Sequence, residues 1–150
     1  MGLTLRHADE ADLPLLAQMN KHLIEDEKSR NPMTVAQLQE RMRGWLSEDY
    51  AVRLFVDESA QGVGYAVYRV LPDDYDPDRQ YVYLRQFFIR REMRRCGLGT
   101  QALALLRDEF PVGATVALDV LTSNPAGQAF WASVGFSPYC MTMHLADRRR

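Results

Sequence analysis

The sequence predicts an α/β fold, in which a mixed, mostly antiparallel central sheet of about seven strands is combined with four helices. Two observations predict it: apolar residues recur with a period of two in some segments and with helical spacing in others, and strand-like and helix-like segments alternate along the chain. With 150 residues, 47% of them hydrophobic, the chain is long enough to bury a substantial core. Because no repeat, low-complexity linker or shift in composition divides it, we expect one domain over residues 1–150.

The first third of the chain predicts one strand and two helices. Leu3 and Leu5 alternate with polar residues, as in a half-buried strand. Asp9 can cap a first helix. The apolar side of this helix consists of Leu13, Leu16, Met19 and Leu23. Thr34 and Gln37 have capping-box spacing, which predicts the start of a second helix.

The remaining segments predict a meander followed by alternating helices and strands. Three strand-like runs come first, at residues 52–56, 63–71 and 81–89. Their connections are short, which predicts antiparallel pairing. The pattern then changes to a helix at 98–110, a strand at 115–121, a helix at 125–134 and a closing strand at 138–145. An exposed edge among the final strands would suit a homodimer.

The composition argues against nucleic-acid and membrane partners. The 18 basic and 20 acidic residues give a formal net charge of −2, which does not suit a general nucleic-acid binder. There is no basic and apolar leader and no apolar run long enough to cross a bilayer, so we expect a cytoplasmic protein. Cys96 and Cys140 are the only cysteines and have no metal-ligand spacing, so we expect no metal site.

The segment 90–101 joins the predicted strand at 81–89 to the predicted helix at 98–110. Gly97 and Gly99 lie at the start of this helix, and Arg94 and Arg95 come shortly before it. The first N–H groups of a helix have no partner within the helix, and glycines let a phosphate approach them. Arginine adds charge-assisted hydrogen bonds to a pyrophosphate. The segment therefore predicts an anion site, although an ordinary strand-to-helix turn would also explain the glycines.

The same glycines satisfy the dinucleotide-binding pattern G-x-G-x-x-G/A, from Gly97 to Ala102. Asp119 follows about twenty residues later, where such folds place the acid that binds the ribose. This pattern would make the protein a nicotinamide-dependent oxidoreductase. The Rossmann arrangement needs further parallel strand-helix units, however, and only about fifty residues remain after Gly97. We keep this function as the weaker alternative.

Two segments resemble the GNAT superfamily of acyl-CoA-dependent N-acyltransferases. Residues 94–99, Arg-Arg-Cys-Gly-Leu-Gly, are similar to its pyrophosphate signature R/Q-x-x-G-x-G/A. Residues 124–136 resemble its later motif, which has an asparagine, a short helix with an aromatic pair, and Gly-Phe before the next strand. The predicted order of elements is also similar along nearly the whole chain. The resemblance implies that acetyl-CoA is the acyl donor and that it lies in a wedge between strands four and five.

The resemblance also implies which residues bind acetyl-CoA. The main chain of Phe87, Phe88 and Ile89 would bind the pantetheine arm, and one N–H of this strand would stabilise the oxyanion of the reaction. Asn124 is at the position whose side chain commonly touches the same arm. The residues that would bind the pyrophosphate are Arg94, Arg95, Gly97, Leu98, Gly99 and Thr100.

The chain departs from the family pattern at the residues that move protons. Trp131 occupies the position of a frequent tyrosine that protonates the departing thiolate, and indole is not a practical acid at neutral pH. Tyr139 and Cys140 are candidate acids by their proximity in sequence alone, and ordinary core or strand residues would look the same. The fourth predicted strand lacks the usual carboxylate, but Tyr83 could hold a relay water there or simply pack in the sheet. A base could instead come from Glu25, in the acidic run Glu25-Asp26-Glu27.

This acidic run lies at the end of the first predicted helix. Negative charge there opposes the helix dipole by about 0.3–1 kcal/mol per exposed residue, which favours a functional explanation. The acids would attract an acceptor that carries an ammonium group, such as a polyamine, an aminosugar or a lysine side chain. Lys28 and Arg30 follow immediately, so a solvated helix end of mixed charge explains the run equally well.

We therefore predict an acetyl-CoA-dependent N-acetyltransferase. It would transfer the acetyl group to a primary amine of a small molecule or peptide, by direct attack in a ternary complex that needs no covalent nucleophile. A catalytically silent sensor that binds acyl-CoA is the alternative from a different class, because the usual tyrosine and the strand carboxylate are missing.

Overall fold

The computed structural model describes residues 2–149 of the chain. Its centre is a five-stranded sheet in which the strands lie in the order of the sequence. The strands are β1 (Thr4–His7), β2 (Ala51–Val56), β3 (Gly62–Pro72), β4 (Gln80–Ile89) and β5 (Thr115–Ala117). Neighbours from β1 to β4 are antiparallel, and β5 runs parallel to β4. The predicted mixed sheet is confirmed, together with the meander of β2, β3 and β4.

Four helices accompany the sheet, as the apolar spacing predicts. They are α1 (Leu13–Asp26), α2 (Val35–Ser47), α3 (Leu98–Glu109) and α4 (Pro125–Ser133). The predicted capping box opens α2, because Thr34 Oγ1 accepts from the N–H of Gln37 and Gln37 Oε1 accepts from that of Thr34. Asp9 caps the 3-10 turn Glu10–Asp12, which leads into α1. None of the helices in residues 2–149 has the length and apolar character that a membrane crossing requires.

The sheet separates two hydrophobic layers. The layer under α1 and α2 contains Trp45 of α2, Tyr65 of β3 and Phe88 of β4. The layer under α3 contains Ala66 of β3 and Leu106 of α3. Because side chains alternate between the two faces of a strand, the position of a residue along β3 or β4 decides which layer it enters.

A bulge at Arg85 interrupts this alternation in β4. Val67 of β3 lies opposite Gln86, whereas the next residue, Tyr68, lies opposite Leu84, so Arg85 is the extra residue. Bulges redirect side chains in this way. The exposed Arg85 lies over the ring of Trp45, on the face of the sheet under α1 and α2. Gln86 is on the same face, where its Oε1 accepts a hydrogen bond from the hydroxyl of the buried Tyr65.

The pairing of β4 with β5 is short. It extends from Tyr81 opposite Thr115 to Tyr83 opposite Ala117, whereas β4 itself continues to residue 89. In the described part of the chain, the second half of β4 pairs with β3 alone. The other edge of this half therefore presents main-chain N–H and C=O groups that a ligand can bind.

The sheet of the described residues has five strands rather than about seven. The strand predicted at 115–121 ends at residue 117, and the closing strand predicted at 138–145 does not form. Its apolar side chains are between 82% and 98% exposed, at Tyr139, Met141, Met143 and Leu145. A period of two shows that a segment suits a half-buried strand, but it does not provide the neighbouring strand that would pair with it.

Candidate active site

The loop between β4 and α3 leaves the start of α3 open. Gly97 immediately precedes the helix with a φ of +74° and provides no side-chain cap. A Cβ built on Gly97 would have no atom within 4 Å. Arg95 is also left-handed, with a φ of +65°. The first N–H groups of α3 are therefore approachable from open space, where an anion can accept hydrogen bonds from them.

The next residues of α3 have different surroundings. A Cβ at Gly99 would lie 3.0 Å from the ring of Phe130, so this glycine allows α3 and α4 to approach each other closely. Leu98 is buried in the layer under α3, and Thr100 is exposed. Leu98 and Gly99 are thus packed against the rest of the protein, and only their main-chain N–H groups could contact an anion.

Two arginines of this loop are bound to acidic residues at the end of α1. Arg91 donates from Nε to Asp26 Oδ1 at 2.7 Å and from Nη2 to Glu25 Oε1 at 3.2 Å. Arg94 pairs with the other oxygen of Asp26, and its Nε donates to the last carbonyl of β4 at 2.8 Å. Within residues 2–149, the exposed Arg95 makes no ion pair. Of the two arginines predicted to bind pyrophosphate, Arg94 is thus held by the protein itself.

These ion pairs divide the predicted acidic run. Glu25 and Asp26 have arginine partners, whereas Glu27 has no basic group within 4.0 Å in the described part of the chain. Burial raises the pKa of the Glu27 carboxyl above its usual range, and the charge of Asp26 raises it further. A carboxylate of this kind holds a proton more readily near neutral pH than an exposed glutamate does.

Tyr65 is fully buried in the layer under α1 and α2. Its hydroxyl donates to Gln86 Oε1 at 2.8 Å. Burial raises the pKa of Tyr65 well above its usual value, the charge of Glu27 raises it further, and the charge of Arg41 lowers it. The Tyr65 hydroxyl is therefore neutral at physiological pH.

Tyr83 and Asp119 form a second polar pair, where β4 and β5 cease to be paired. The Tyr83 hydroxyl donates to Asp119 Oδ2 at 3.0 Å. Burial, followed by this hydrogen bond and the charge of Asp119, raises the pKa of Tyr83 to about 12. Tyr83 is thus protonated at neutral pH. Asp119 takes this position because its neighbours Val116 and Leu118 pack in the opposite layer, under α3.

An aromatic cluster connects β4 to α4. Phe87 stacks on Phe130 with ring centroids 6.0 Å apart and meets Trp131 edge-on at 5.3 Å. Trp131 also packs edge-on against Phe130 at 4.9 Å and Phe136 at 5.2 Å. The indole that stands in place of the expected tyrosine is therefore a packing group, and the cluster fixes α4 beside the second half of β4.

Two further residues predicted for the site, Tyr139 and Asn124, lie outside the polar pairs and the aromatic cluster. Tyr139 is 94% exposed, in a segment without helix or strand. Asn124 caps α4, because its Oδ1 accepts from the N–H of Gly127 at 3.0 Å. The preceding residue, Ser123, donates from Oγ to the carbonyl of Glu27 at 2.8 Å. This hydrogen bond joins the loop before α4 to the end of α1, on the side where Glu27 lies.

The chain matches the model of the acetyltransferase (GNAT) family over residues 16–136. The match includes most of the chain, with both the β4–α3 loop and α4. The chain belongs to the acetyltransferase (GNAT) family. This membership replaces the oxidoreductase alternative, which needs several parallel strand pairs where the described sheet has the single pair β4–β5.

Solved structures of GNAT and other acetyltransferase proteins are similar to this one. An aminoglycoside N-acetyltransferase in complex with CoA has 17% identity and a TM-score of 0.75, over 99% of this chain and 96% of that chain. A GCN5-related N-acetyltransferase from Ralstonia eutropha JMP134 has 20% identity and a TM-score of 0.74, over 97% and 99%. A predicted acetyltransferase from Clostridium acetobutylicum, solved with acetyl-CoA, has 17% identity and a TM-score of 0.73, over 97% and 96%. These likenesses establish the fold. No curated protein matches the sequence.

In this GNAT protein, sequence reasoning missed a polar group between α1, α2 and β4. The group contains Asn20, Arg41, Tyr65, Arg85 and Gln86. A signal was present in the helices, because Arg41 interrupts the apolar stripe of α2 and Asn20 that of α1. These stripes contain Leu38, Met42 and Trp45 in α2 and Leu16, Ala17 and Ile24 in α1. A polar residue at a buried helical position requires a partner or a function.

Proposed function

We propose that this GNAT protein is an acetyl-CoA-dependent N-acetyltransferase that works as one domain. It transfers the acetyl group to a primary amine of a small molecule or peptide, by direct attack in a ternary complex. The observation that carries the proposal is the open start of α3 at Gly97, close in sequence to the edge of β4 that has no strand partner within residues 2–149. The solved relatives that contain CoA or acetyl-CoA support this choice of acyl donor.

The donor site is proposed to combine main-chain groups from the loop and from β4. The N–H groups of residues 95–100 bind the pyrophosphate, and the exposed Arg95 adds its charge. The main chain of Phe87, Phe88 and Ile89 binds the pantetheine arm along the edge of β4 that has no strand partner among the described residues. One N–H of this edge stabilises the oxyanion. Asn124 keeps its amide nitrogen for the same arm while its oxygen caps α4.

The reaction needs a proton acceptor for the amine. The amine nitrogen bonds to the thioester carbon and loses a proton, the C–S bond breaks, and the thiolate of CoA leaves and takes up a proton. We propose Glu27 as the acceptor, since it is partly buried, has a raised pKa and has no basic partner within 4.0 Å among residues 2–149. In this proposal, Glu25 holds the loop through Arg91, and Tyr83 orients the carboxylate of Asp119.

The proton for the thiolate is assigned to water in this scheme. Trp131 has no acidic proton, and Tyr139 is 94% exposed. Tyr139 would reach the site only if the C-terminal segment packed against it. A thiolate needs less help from an acid than an alkoxide does, because a thiol is itself acidic near pH 8–9.

The proposal includes a homodimer in the cytoplasm. The exposed apolar side chains of the segment 138–145 would be covered if this segment paired with a strand of a second copy. The two cysteines are free and exposed, which suits a reducing compartment. Light scattering should give the mass of a dimer, and a monomer at all concentrations would contradict this part of the proposal alone.

The experiment for the function combines ligand binding with turnover. Thermal unfolding of the wild-type protein should shift upward with acetyl-CoA and remain unchanged with NADH. Release of the CoA thiol should then be measured with a panel of primary amines, and turnover of at least one amine is expected. Tight binding of acetyl-CoA without turnover of any amine would favour the silent sensor. The packed Trp131 is consistent with a sensor, because it replaces the tyrosine that would protonate the thiolate. An upward shift with NADH alone would contradict the proposal.

A further inference from the structure

We propose that the acceptor amine also carries an oxyanion, a carboxylate or a phosphate, which Arg41 and Arg85 bind. This inference rests on the proposed function, because it describes the acceptor side of the same active site. It concerns the face of the sheet under α1 and α2, where two cationic side chains contact the same indole ring and neither has a carboxylate partner among residues 2–149.

The first observation is a pair of guanidinium groups over one indole ring. The Arg41 guanidinium lies 4.6 Å from the ring centroid of Trp45, and the Arg85 guanidinium lies 4.9 Å from it. Within residues 2–149, neither arginine has a carboxylate within 4.0 Å. Burial lowers the pKa of Arg41, and the like charge of Arg85 lowers it further. Arg85 is exposed and Arg41 is half-buried, so water screens part of this repulsion, and an anion bound between the two groups would remove the rest.

The second observation is independent and concerns hydrogen-bond donors. Asn20 is 0% exposed, and its Oδ1 accepts from Arg41 Nη2 at 3.3 Å. Its Nδ2 is buried without a partner in the described residues, and so is Nε of Arg41. Both unpartnered atoms are N–H donors. A buried donor without an acceptor destabilises the fold, so the site lacks an oxygen acceptor rather than another donor.

The bulge in β4 explains how Arg85 reaches this place. It sends Arg85 and Gln86 to the same face of the sheet, where Arg85 lies over Trp45 and Gln86 accepts from the Tyr65 hydroxyl. A regular strand would have placed one of these side chains on the opposite face. Arg85 comes two residues before the Phe87–Ile89 segment, which we propose to bind the pantetheine arm. The cationic group therefore adjoins the acyl donor site.

The charges of this site suit an acceptor that has both signs of charge. Glu27 lies at the C-terminal end of α1, and Arg41 donates to Asn20 two turns earlier on the same helix, so an acidic and a cationic side chain lie along one helix. The amine would face Glu27, and the oxyanion would face the two arginines. Planar guanidinium groups bind carboxylate and phosphate oxygens in bidentate geometry. A polyamine or a simple aminosugar would provide the amine but no acceptor for Arg41 and Arg85.

Matched acceptors test this inference. Each pair differs only in the anion: an amino acid against its amide, β-alanine against its amide, and phosphoethanolamine against ethanolamine. The wild-type protein should prefer the anionic member, with the carboxylate and phosphate pairs showing which oxyanion fits. Arg85→Gln should reduce this preference about 10- to 100-fold, mainly through a higher KM for the anionic member, since a hydrogen bond to a charged group has this effect. The Kd of acetyl-CoA should not change.

Arg43→Gln is the matched control, because Arg43 lies on α2 but pairs with Glu10 and Glu40 outside this layer. It should keep the wild-type preference. Equal or better turnover of the neutral members by the wild-type protein would overturn the inference, as would an unchanged preference in Arg85→Gln. Both results leave acetyl-CoA binding and turnover intact, so they do not touch the proposed function.

A binding measurement decides the case in which no amine is turned over. With saturating CoA present to occupy the loop, inorganic phosphate should raise the Tm of the wild-type protein and of Arg43→Gln. The rise should be lost in Arg85→Gln. An equal rise in Arg85→Gln, or no rise in the wild-type protein, would overturn the inference. A failure of acetyl-CoA to bind would instead contradict the proposed function.

Discussion

Two groups of arginines near the second half of β4 differ in their partners. In the loop group, Arg91 and Arg94 bind Asp26, and Arg91 also binds Glu25. In the indole group, Arg41 and Arg85 lie over Trp45, and among residues 2–149 no carboxylate lies within 4.0 Å of either. One group is neutralised by the chain itself, and the other is not.

The difference shows that the local ion pairs of each arginine carry information that the net charge of the chain does not. A formal net charge of −2 suggests a surface with balanced charges, yet the balance holds locally for the loop group and fails for the indole group. The paired arginines hold the end of α1 against the loop, so they stabilise the frame of the donor site. The arginines without a carboxylate partner among residues 2–149 are the ones that we propose to bind an anion.

Gly97→Val should have the largest effect, on the donor side. A branched side chain would occupy the open approach to α3 at a φ of +74°, so the Kd of acetyl-CoA should rise at least about 100-fold, as expected for the loss of two charge-assisted hydrogen bonds. Calorimetric titration measures it. Gly113→Val is the control, because Gly113 has a φ of +81° and open space but follows the far end of α3. Equal losses in both variants would attribute the effect to backbone strain.

Glu27→Gln should have the next largest effect, on turnover. Removal of a general base should lower kcat by about 100-fold or more without changing the Kd of acetyl-CoA. In the wild-type protein, kcat/KM should fall as pH decreases through the raised pKa of Glu27, above the 4.5 of an ordinary glutamate, since the protonated carboxyl cannot accept the proton of the amine. This acidic limb should disappear in Glu27→Gln. Glu25→Gln is the control and should keep the acidic limb of the kcat/KM profile. If the limb were lost in Glu25→Gln and kept in Glu27→Gln, Glu25 would be the general base.

Asp26→Asn should have a moderate effect, on stability. It removes the partner of Arg91 and Arg94, so the free energy of unfolding should fall, but only modestly, because both ion pairs are partly exposed to water. Urea denaturation measures the change. Asp108→Asn, at an exposed position of α3, should leave the stability unchanged. If the two variants were equally stable, the loop group would not be the stabilising element that the comparison requires.

Arg85→Gln should have the smallest effect on stability. Its guanidinium forms no ion pair within residues 2–149, so the free energy of unfolding should stay within about 0.5 kcal/mol of the wild-type value. The same urea measurement compares it with Asp26→Asn. A loss larger than that of Asp26→Asn would mean that Arg85 supports the fold, and the contrast between the two groups would no longer hold.

Most of the fold could be predicted from the sequence because its signals are local. The capping box of α2 joins Thr34 and Gln37 across one helical turn, and the strands β2, β3 and β4 follow one another through short connections. The closing strand at 138–145 could not be predicted in the same way. Its alternating pattern is local, but a strand also needs a partner, and no described strand pairs with it.

The candidate site could be predicted only where all of its residues belong to one short segment of the sequence. The loop with Gly97 contains its whole signal within a few residues. The pair of Arg91 and Asp26 spans 65 positions, so the sequence showed two charged runs without showing that they neutralise each other. Arg41 offered a readable signal as a charged residue in an apolar helical stripe. Its proximity to Arg85, however, depends on a bulge in β4 that has no distinct sequence pattern.

The most direct test of the division into a donor side and an acceptor side is the thermal shift produced by acetyl-CoA in three proteins. At about 100 times its Kd, a ligand adds about 2.7 kcal/mol, which corresponds to about 5–10 °C for a chain of this size. The wild-type protein and Arg85→Gln should show this rise in Tm, and Gly97→Val should lose it. A loss in Arg85→Gln as large as that in Gly97→Val, or a full rise in all three proteins, would contradict the account.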